Sequence, residues 1–372
     1  MTSAGSRPQA ANSKGPVVLS AGGTGGHMFP AFALARALLV RGVKVQLVTD
    51  LRGARYRDQY PDIPFQMVRA ETLRSGFVAK IRFVIDLLVG IGQAMRFLRA
   101  LRPRAVVGFG GYPSFPAVIA AHFLKIPVLL HEQNAVLGRA NRVLAGQAKA
   151  IALSLPNVES LPEKWRAKTI VTGNPVRAEI AESRPYAAPG AGPEDRLRVL
   201  ILGGSQGASV FSRLMPEAVA LLPEALRRRL DVVQQCRAAD IGMCRHAYDV
   251  AGVKVRLESF VTDVPQQLAA CHLLVSRSGA STVSEAAVAG RPALFIPYPH
   301  HADQQQRANA MVLVRAGAAK MLDQKGLTAQ ILAKELESLL ENPAELAAMA
   351  GAARAALGAD AAKRLADAIL AL

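Results

Sequence analysis

Cysteine is scarce in this chain and follows no ligand pattern. Cys236, Cys244 and Cys271 are odd in number and form no C-x-x-C pair. That argues against a disulfide framework or a cysteine zinc site and fits a reducing compartment. Aromatic residues are few, at 5%, and there is no helix-turn-helix, RRM or OB signature, so nucleic acid is a poor match for the net charge of +17. An anionic membrane surface or a phosphorylated substrate fits that charge better. Long apolar runs are also missing. The best, 81–98, is interrupted by Asp86, Gln93 and Arg96 and makes a poor membrane span. Residues 1–15 have no apolar segment of the kind a secretory signal needs and read as a disordered tail. No D-x-D pair is present to hold a metal–nucleotide complex.

What remains is 372 residues, 51% of them hydrophobic, a length that calls for two domains. A strand at 17–21 runs into a glycine-rich turn, a helix from about 30 to 41 closed by Gly42, and a strand at 43–49. Short strands follow at 106–108 and 128–131. After the Pro/Gly/Ala-rich stretch 184–195 the pattern restarts with a strand at 197–202, another glycine turn, and strands at 232–236, 253–257, 273–276 and 293–296. Residues 345–372 read as two helices. Strands alternating with helices predict an α/β chain with parallel sheets covered on both faces. Two strand–glycine loop–helix openings predict two Rossmann-like domains facing across a cleft, with ligands at the carboxyl ends of the strands.

The motifs lie at those ends. Gly22-Gly23-Thr24-Gly25-Gly26-His27 lets backbone approach an anion closely in front of a helix. It is not a dinucleotide fingerprint: Met28 stands where the third glycine belongs, although Asp50 would suit a ribose. His27, on this loop at the cleft, is read as functional. Gly110-Gly111-Tyr112 forms a second glycine loop on the same edge, and the two together make a diphosphate-sized pocket. His131-Glu132-Gln133-Asn134 follows an apolar run. Four such residues are costly to bury, so they are expected to face the cleft; the alternative is a structural hydrogen-bond cluster, and physics alone does not choose among the four.

In the second half, Gly203-Gly204-Ser205-Gln206-Gly207 repeats the strand–loop–helix logic, and Ser205 can donate to a phosphate. The run Arg277-Ser278-Gly279-Ala280-Ser281-Thr282-Val283-Ser284-Glu285 opens a helix, where N–H groups, hydroxyls and dipole converge on one anion. Glu285 lies one turn deeper than Ser281, placed to accept both hydroxyls of a ribose. His300 to Gln306 has no metal-site spacing; the glutamine amides suit sugar hydroxyls. Between Arg69 and Arg104, eight basic residues, among them Arg74, Lys80 and Arg82, interleave with Phe77, Val78, Ile81, Phe83, Val84, Leu87 and Leu88. That reads either as a membrane-surface patch or as an amphipathic helix with a solvated face.

Taken together, GGTGGH, GGYPSFP, HEQN, GNPVR (173–177), GGSQGA, RSGASTVSE and the D-Q-Q-Q run resemble the MurG family, the undecaprenyldiphospho-muramoylpentapeptide N-acetylglucosaminyltransferases. Each motif alone is weak; the ordered set spans 22–306 and is specific. The resemblance implies a GT-B fold with an acceptor and membrane-docking domain (16–176 with 357–372, the last helix crossing back) and a donor domain (177–356). It implies transfer of GlcNAc from UDP-GlcNAc to the C4 hydroxyl of lipid I, giving lipid II. The reaction would be inverting and need neither metal nor cofactor. Asn134, Gln305 and Gln306 would meet GlcNAc and Glu285 the ribose. Ser205 with Ala280, Ser281 and Thr282 would lie near the diphosphate, and the Val261 backbone at uracil. Arg177, Thr24, Gly25 and Gly26 would belong to the donor site. Gly22, Gly23, Gly110, Gly111 and Tyr112 would hold the acceptor diphosphate, with His27 as base. Ser281 departs from the leucine often found there. The resemblance also implies a peripheral place on the cytoplasmic face of the inner membrane and partners among cell-wall and division proteins. A UDP-sugar 2-epimerase shares the two-domain design but would need carboxylates around the sugar. A nucleotide sensor without catalysis is a third reading.

Overall fold

The apolar runs become short parallel strands buried on both faces. The computed structural model describes residues 15–23, 25–70, 76–190, 192–204, 209–300 and 303–372. The tail expected at 1–15 therefore lies almost wholly outside the described residues. In the first half, β1 (Val17–Ser20), β2 (Val45–Thr49), β3 (Phe65–Met67), β4 (Ala105–Gly108), β5 (Val128–Glu132), β6 (Ala150–Leu153) and β7 (Thr169–Val171) form one sheet in the order β3-β2-β1-β4-β5-β6-β7. In the second, β8 (Leu197–Leu202), β9 (Leu230–Gln235), β10 (Lys254–Glu258), β11 (Leu273–Ser276), β12 (Ala293–Phe295) and β13 (Ala319–Met321) follow the order β10-β9-β8-β11-β12-β13. Both sheets are parallel, and in both the strand order reverses beside the first strand, β1 against β4 and β8 against β11. That reversal opens a crevice at the carboxyl ends. The chain is thus α/β with two Rossmann-like domains, a GT-B arrangement.

Two expectations are corrected. The first helix starts at Gly25, not near Pro30, and ends at Val40. Glycine permits helical backbone without favouring it, so the helix can start inside the glycine loop, and Pro30 removes one N–H without stopping the turn. The strand expected at 232–236 runs instead from Leu230 to Gln235. Four strands, β3, β6, β7 and β13, were not expected at all. Each is three or four residues long, too short to show a period, and β6 is alanine-rich, which reads as helix.

The final helix, Ala361–Leu370, packs Leu365, Ala366 and Ile369 into the core of the first sheet, beside Val17, Leu19 and Phe32. Arg41 Nη1 donates to Asp367 at 2.8 Å on the same seam. Behind the second-domain site, buried Arg291 donates to the carbonyls of Leu268 (2.8 Å), Ala269 (2.7 Å) and Arg184 (2.9 Å). It thereby fixes the far end of the helix Ala280–Ala289 to the chain entering the domain. Arg291→Leu strands those carbonyls in an apolar setting and is expected to lower stability by about 2–5 kcal/mol, read by denaturant unfolding.

Candidate active site

The first-domain loops are built on close backbone approach. A Cβ on Gly22 would sit 2.6 Å from Pro113 Cγ and 2.8 Å from Asp50 Oδ1, so only glycine fits between them. Asp50 Oδ1 accepts from the N–H groups of Gly23 (3.2 Å) and Gly53 (3.0 Å). It clamps the loop and is not free for a ribose. Gly110 and Gly111 take φ of +83° and +72° and turn the chain against the His27 ring. A Cβ on Gly111 would lie 3.4 Å from His27 Nε2. Ser114 Oγ shares its proton between the carbonyls of Gly110 (2.8 Å) and Ser20 (3.0 Å), locking this turn to the end of β1. Gly110 and Gly111 thus lie against His27, Gly22 packs on Pro113 at the end of the same turn, and Gly23 is tied to Asp50. His27 itself stands in the first helical turn, not on a loop as expected, because the helix begins two residues before it. Thr24 lies outside the described residues.

The expectation that His131-Glu132-Gln133-Asn134 faces the cleft is corrected for three of the four. His131, Glu132 and Gln133 are buried, and the cost of burial is met by hydrogen bonds. Glu132 accepts from Asn134 N (3.0 Å), Gly138 N (2.9 Å) and Asn141 Nδ2 (2.9 Å). His131 Nε2 donates to the Gly173 carbonyl at 3.1 Å, and burial pulls its pKa down to about 4, so the ring is neutral. Gln133 Oε1 meets His27 Nδ1 at 3.2 Å. Burial lowers the His27 pKa, opposed by the Glu132 charge and by hydrogen bonds to Gln133 and the Phe109 carbonyl. Asn134 is half-buried.

Across the cleft, the helix Ala280–Ala289 opens with Ala280, Ser281 and Thr282, capped by extended Gly279. Ser281 Oγ donates to the Gly26 carbonyl at 3.3 Å. That carbonyl is available because Pro30, four residues on, has no N–H to give it. Two helix starts therefore meet here, one from each domain. One turn deeper, Glu285 Oε1 accepts from Arg177 Nε (3.0 Å) and pairs with its Nη2 (2.9 Å). Burial raises the Glu285 pKa, and Arg177 counters it. The Arg177 guanidinium also stacks on Phe29, 4.9 Å from the ring centroid, so Arg177 joins the two domains.

Gln305 and Gln306 start the helix Gln305–Arg315. Gln306 Oε1 accepts from Tyr298 N at 2.9 Å, and its carbonyl accepts from Ser278 Oγ at 2.8 Å. Asn309, one turn on, ties this corner to the first domain. Its Oδ1 accepts from Ala135 N (2.7 Å), and its Nδ2 donates to Asn134 Oδ1 and to the Ser278 carbonyl, both at 3.2 Å. Ser205 lies outside the described residues. Val261 is buried on a separate loop, which Gln235 Nε2 holds toward the Gly204 carbonyl (2.9 Å) through Ser259 (3.4 Å).

Sequence reasoning gave no role to Gln235, Asn309 or Asn141. Gln235 had a signal, as the polar residue where β9 ends, and so did Asn309, an amide one turn beyond the glutamines. Asn141 had none. Its buried Oδ1 has no hydrogen-bond partner among the described residues, and it lies beside Gly110. Among the described residues, no three His, Cys, Asp or Glu side chains group to hold a metal.

Known proteins share this arrangement. The glycosyltransferase family 28 N-terminal domain matches residues 17–153 and the C-terminal domain of that family matches 198–365. A UDP-N-acetylglucosamine–N-acetylmuramyl-(pentapeptide) pyrophosphoryl-undecaprenol N-acetylglucosamine transferase of Rhodospirillum centenum is 51% identical over 96% of this chain and 94% of its own. The crystal structure of Acinetobacter baumannii MurG superposes with a TM-score of 0.76 at 31% identity, covering 96% of this chain and 100% of that one. A UDP-GlcNAc 2-epimerase from Neisseria meningitidis, at 16% identity and a TM-score of 0.66 over 96% of this chain and 100% of its own, shares the fold alone. With both halves matched in order and half of its residues shared with such a relative, the chain belongs to glycosyltransferase family 28, among the MurG N-acetylglucosaminyltransferases.

Proposed function

We propose that this chain transfers GlcNAc from UDP-GlcNAc to the muramoyl C4 hydroxyl of a pyrophosphoryl-undecaprenol acceptor, with inversion and without metal. The observation that carries the reading is the 3.3 Å contact of Ser281 with Gly26, one residue before His27. It sets two helix starts face to face, with His27 the next residue along, as a reaction between two diphosphate-bearing substrates requires. Residues 16–176 with 357–372 take the acceptor; residues 177–356 take the donor. The acceptor diphosphate lies on Gly22, Gly23 and the Gly110–Tyr112 turn. The donor diphosphate lies on Ser205 and Ala280–Thr282, its ribose on Glu285, its uracil on the Val261 backbone, and its GlcNAc among Asn134, Gln305 and Gln306. His27 Nε2 takes the hydroxyl proton as oxygen attacks C1. The helix Ala280–Ala289 meets the charge that develops on the departing UDP. One direct displacement inverts C1 and gives a β-link. Labelled GlcNAc is expected to pass into the lipid fraction at an undiminished rate after extensive chelation. Loss of transfer with EDTA, restored by magnesium, contradicts the metal-free step.

The enzyme must meet a lipid-anchored acceptor, and the helix Phe77–Leu101 supplies a docking face. Phe77 and Val78 are 79% and 78% exposed and Leu88 64%, on one stretch of helix beside basic residues. Its one acid, Asp86, is neutralised by Arg69 (3.6 Å) and Arg82 (3.7 Å). Phe83 packs edge-on against Tyr112, 5.7 Å between centroids, so the exposed face adjoins the turn assigned to the acceptor diphosphate. Among the described residues no helix is long and apolar enough to cross a membrane. In this reading docking is peripheral, on the cytoplasmic face of the inner membrane, with each cation near an anionic surface worth roughly 1 kcal/mol and screened by salt. Arg74 lies outside the described residues, and the Lys80 side chain is likewise not described. Changing Arg74, Lys80 and Arg82 to Glu is expected to abolish sedimentation with anionic liposomes at moderate salt while activity on a short soluble acceptor persists. Sedimentation equal to the parent's places docking elsewhere.

A further inference from the structure

We propose that Gln133 is a positioning residue that sets the tautomer of His27 and so leaves Nε2 as the basic nitrogen. This deepens the reading of His27 as the base and rests on it. The argument is one of hydrogen-bond accounting. Gln133 is 3% exposed, so each end of its amide needs a protein partner. Its nitrogen lies 3.0 Å from the Phe109 carbonyl and 3.2 Å from the His131 carbonyl. Turning the amide over would set its oxygen against two carbonyl oxygens. The oxygen therefore faces His27 Nδ1 and can only accept. His27 Nδ1 must carry the proton, and the neutral ring then has its lone pair on Nε2. That is the nitrogen lying against the Gly110–Gly111 turn.

The same network fixes Gln133 from behind. Its nitrogen is also 3.0 Å from His131 Nδ1, and His131 donates through Nε2 to the Gly173 carbonyl. His131 thus presents a bare Nδ1 to Gln133, which donates to it and, through its oxygen, accepts from His27. Each member dictates the proton position on the next, from Gly173 to His27. Nothing in this chain has to titrate for it to work. A histidine whose second nitrogen is held by a fixed acceptor keeps one tautomer, and losing that acceptor lets the proton move to the nitrogen that must act as base.

The test reads the tautomer and the rate separately. In 15N-histidine-labelled wild-type protein, the His27 ring, assigned by its absence in His27→Gln, is expected to show a protonated Nδ1 and a bare Nε2. In Gln133→Leu the proton is expected to redistribute toward Nε2. In the same variant kcat is expected to fall by about 10- to 100-fold, with KM for both substrates within about two-fold of the parent. A rise in KM with kcat unchanged overturns the proposal, because it marks a structural defect of the binding surface. A protonated Nε2 in the wild type overturns it too, and does not depend on any Gln133 variant folding. Activity surviving in His27→Gln removes the base reading alone; the wild-type tautomer still decides for or against Gln133.

Discussion

His27→Gln is expected to lower kcat by about 10²–10⁴-fold while UDP affinity stays near that of the parent, since in the proposed reaction the residue moves a proton and does not hold the nucleotide. The muramoyl hydroxyl is a poor nucleophile, and His27 follows directly on Gly26, where the two helix starts meet. The pH dependence follows from the sign of its shift. The base must be neutral to act, and burial moves its pKa below 6.5, against Glu132, Gln133 and the Phe109 carbonyl. Neutral His131 behind Gln133 adds no charge of its own at working pH. kcat/KM is therefore expected to be flat through neutrality and to fall only on the acid side, with its midpoint below the ordinary histidine value. An acid limb at or above that value, or a His27→Gln enzyme with parental kcat, contradicts the assignment.

Glu285→Ala is expected to weaken UDP binding by about 1–3 kcal/mol, since ribose hydroxyls lose their acceptor in a buried site. The structure adds a second consequence. Glu285 is 7% exposed and paired with Arg177, so the substitution leaves a largely buried guanidinium without its carboxylate. Breaking a buried pair by removing one partner costs about 3–5 kcal/mol, so stability should fall as well. Arg177 also stacks on Phe29 of the first domain, which makes Arg177→Ala a substitution at the joint and not only at the nucleotide. The two changes should be far from additive, because each alone destroys the same pair. Calorimetry of UDP binding and thermal melts on the two single variants and the double variant measure both effects. Unchanged UDP affinity in Glu285→Ala removes Glu285 from the site.

The sheets were legible where strands run apolar for four or more residues between glycine turns, as at β1, β8 and β11. They were illegible at β3, β6, β7 and β13, whose pairing comes from the sheet already formed beside them and not from their own pattern. The glycine turns at the strand ends were legible because glycine between an apolar strand and a helix carries its reason locally. Partners distant in sequence were not. Nothing near Glu285 says that Arg177 will reach it, and nothing near Pro30 says that the carbonyl it leaves free will receive Ser281. The HEQN segment shows the same limit from the other side. Its polarity argued for the cleft, but Asn141, Gly138 and the Phe109 and Gly173 carbonyls supply the partners that make its burial affordable.

The most direct test of the account is to follow the sugar. The protein is incubated with UDP-GlcNAc labelled at C1 and a lipid-linked muramoyl-pentapeptide acceptor, and the product linkage is read by NMR, with a parallel sample lacking acceptor. The account predicts a β-linked GlcNAc on the muramoyl C4 oxygen, and unchanged UDP-GlcNAc when acceptor is withheld. An α-link would contradict the single displacement. Conversion of UDP-GlcNAc to its 2-epimer, with no label on the lipid, would contradict the transfer itself.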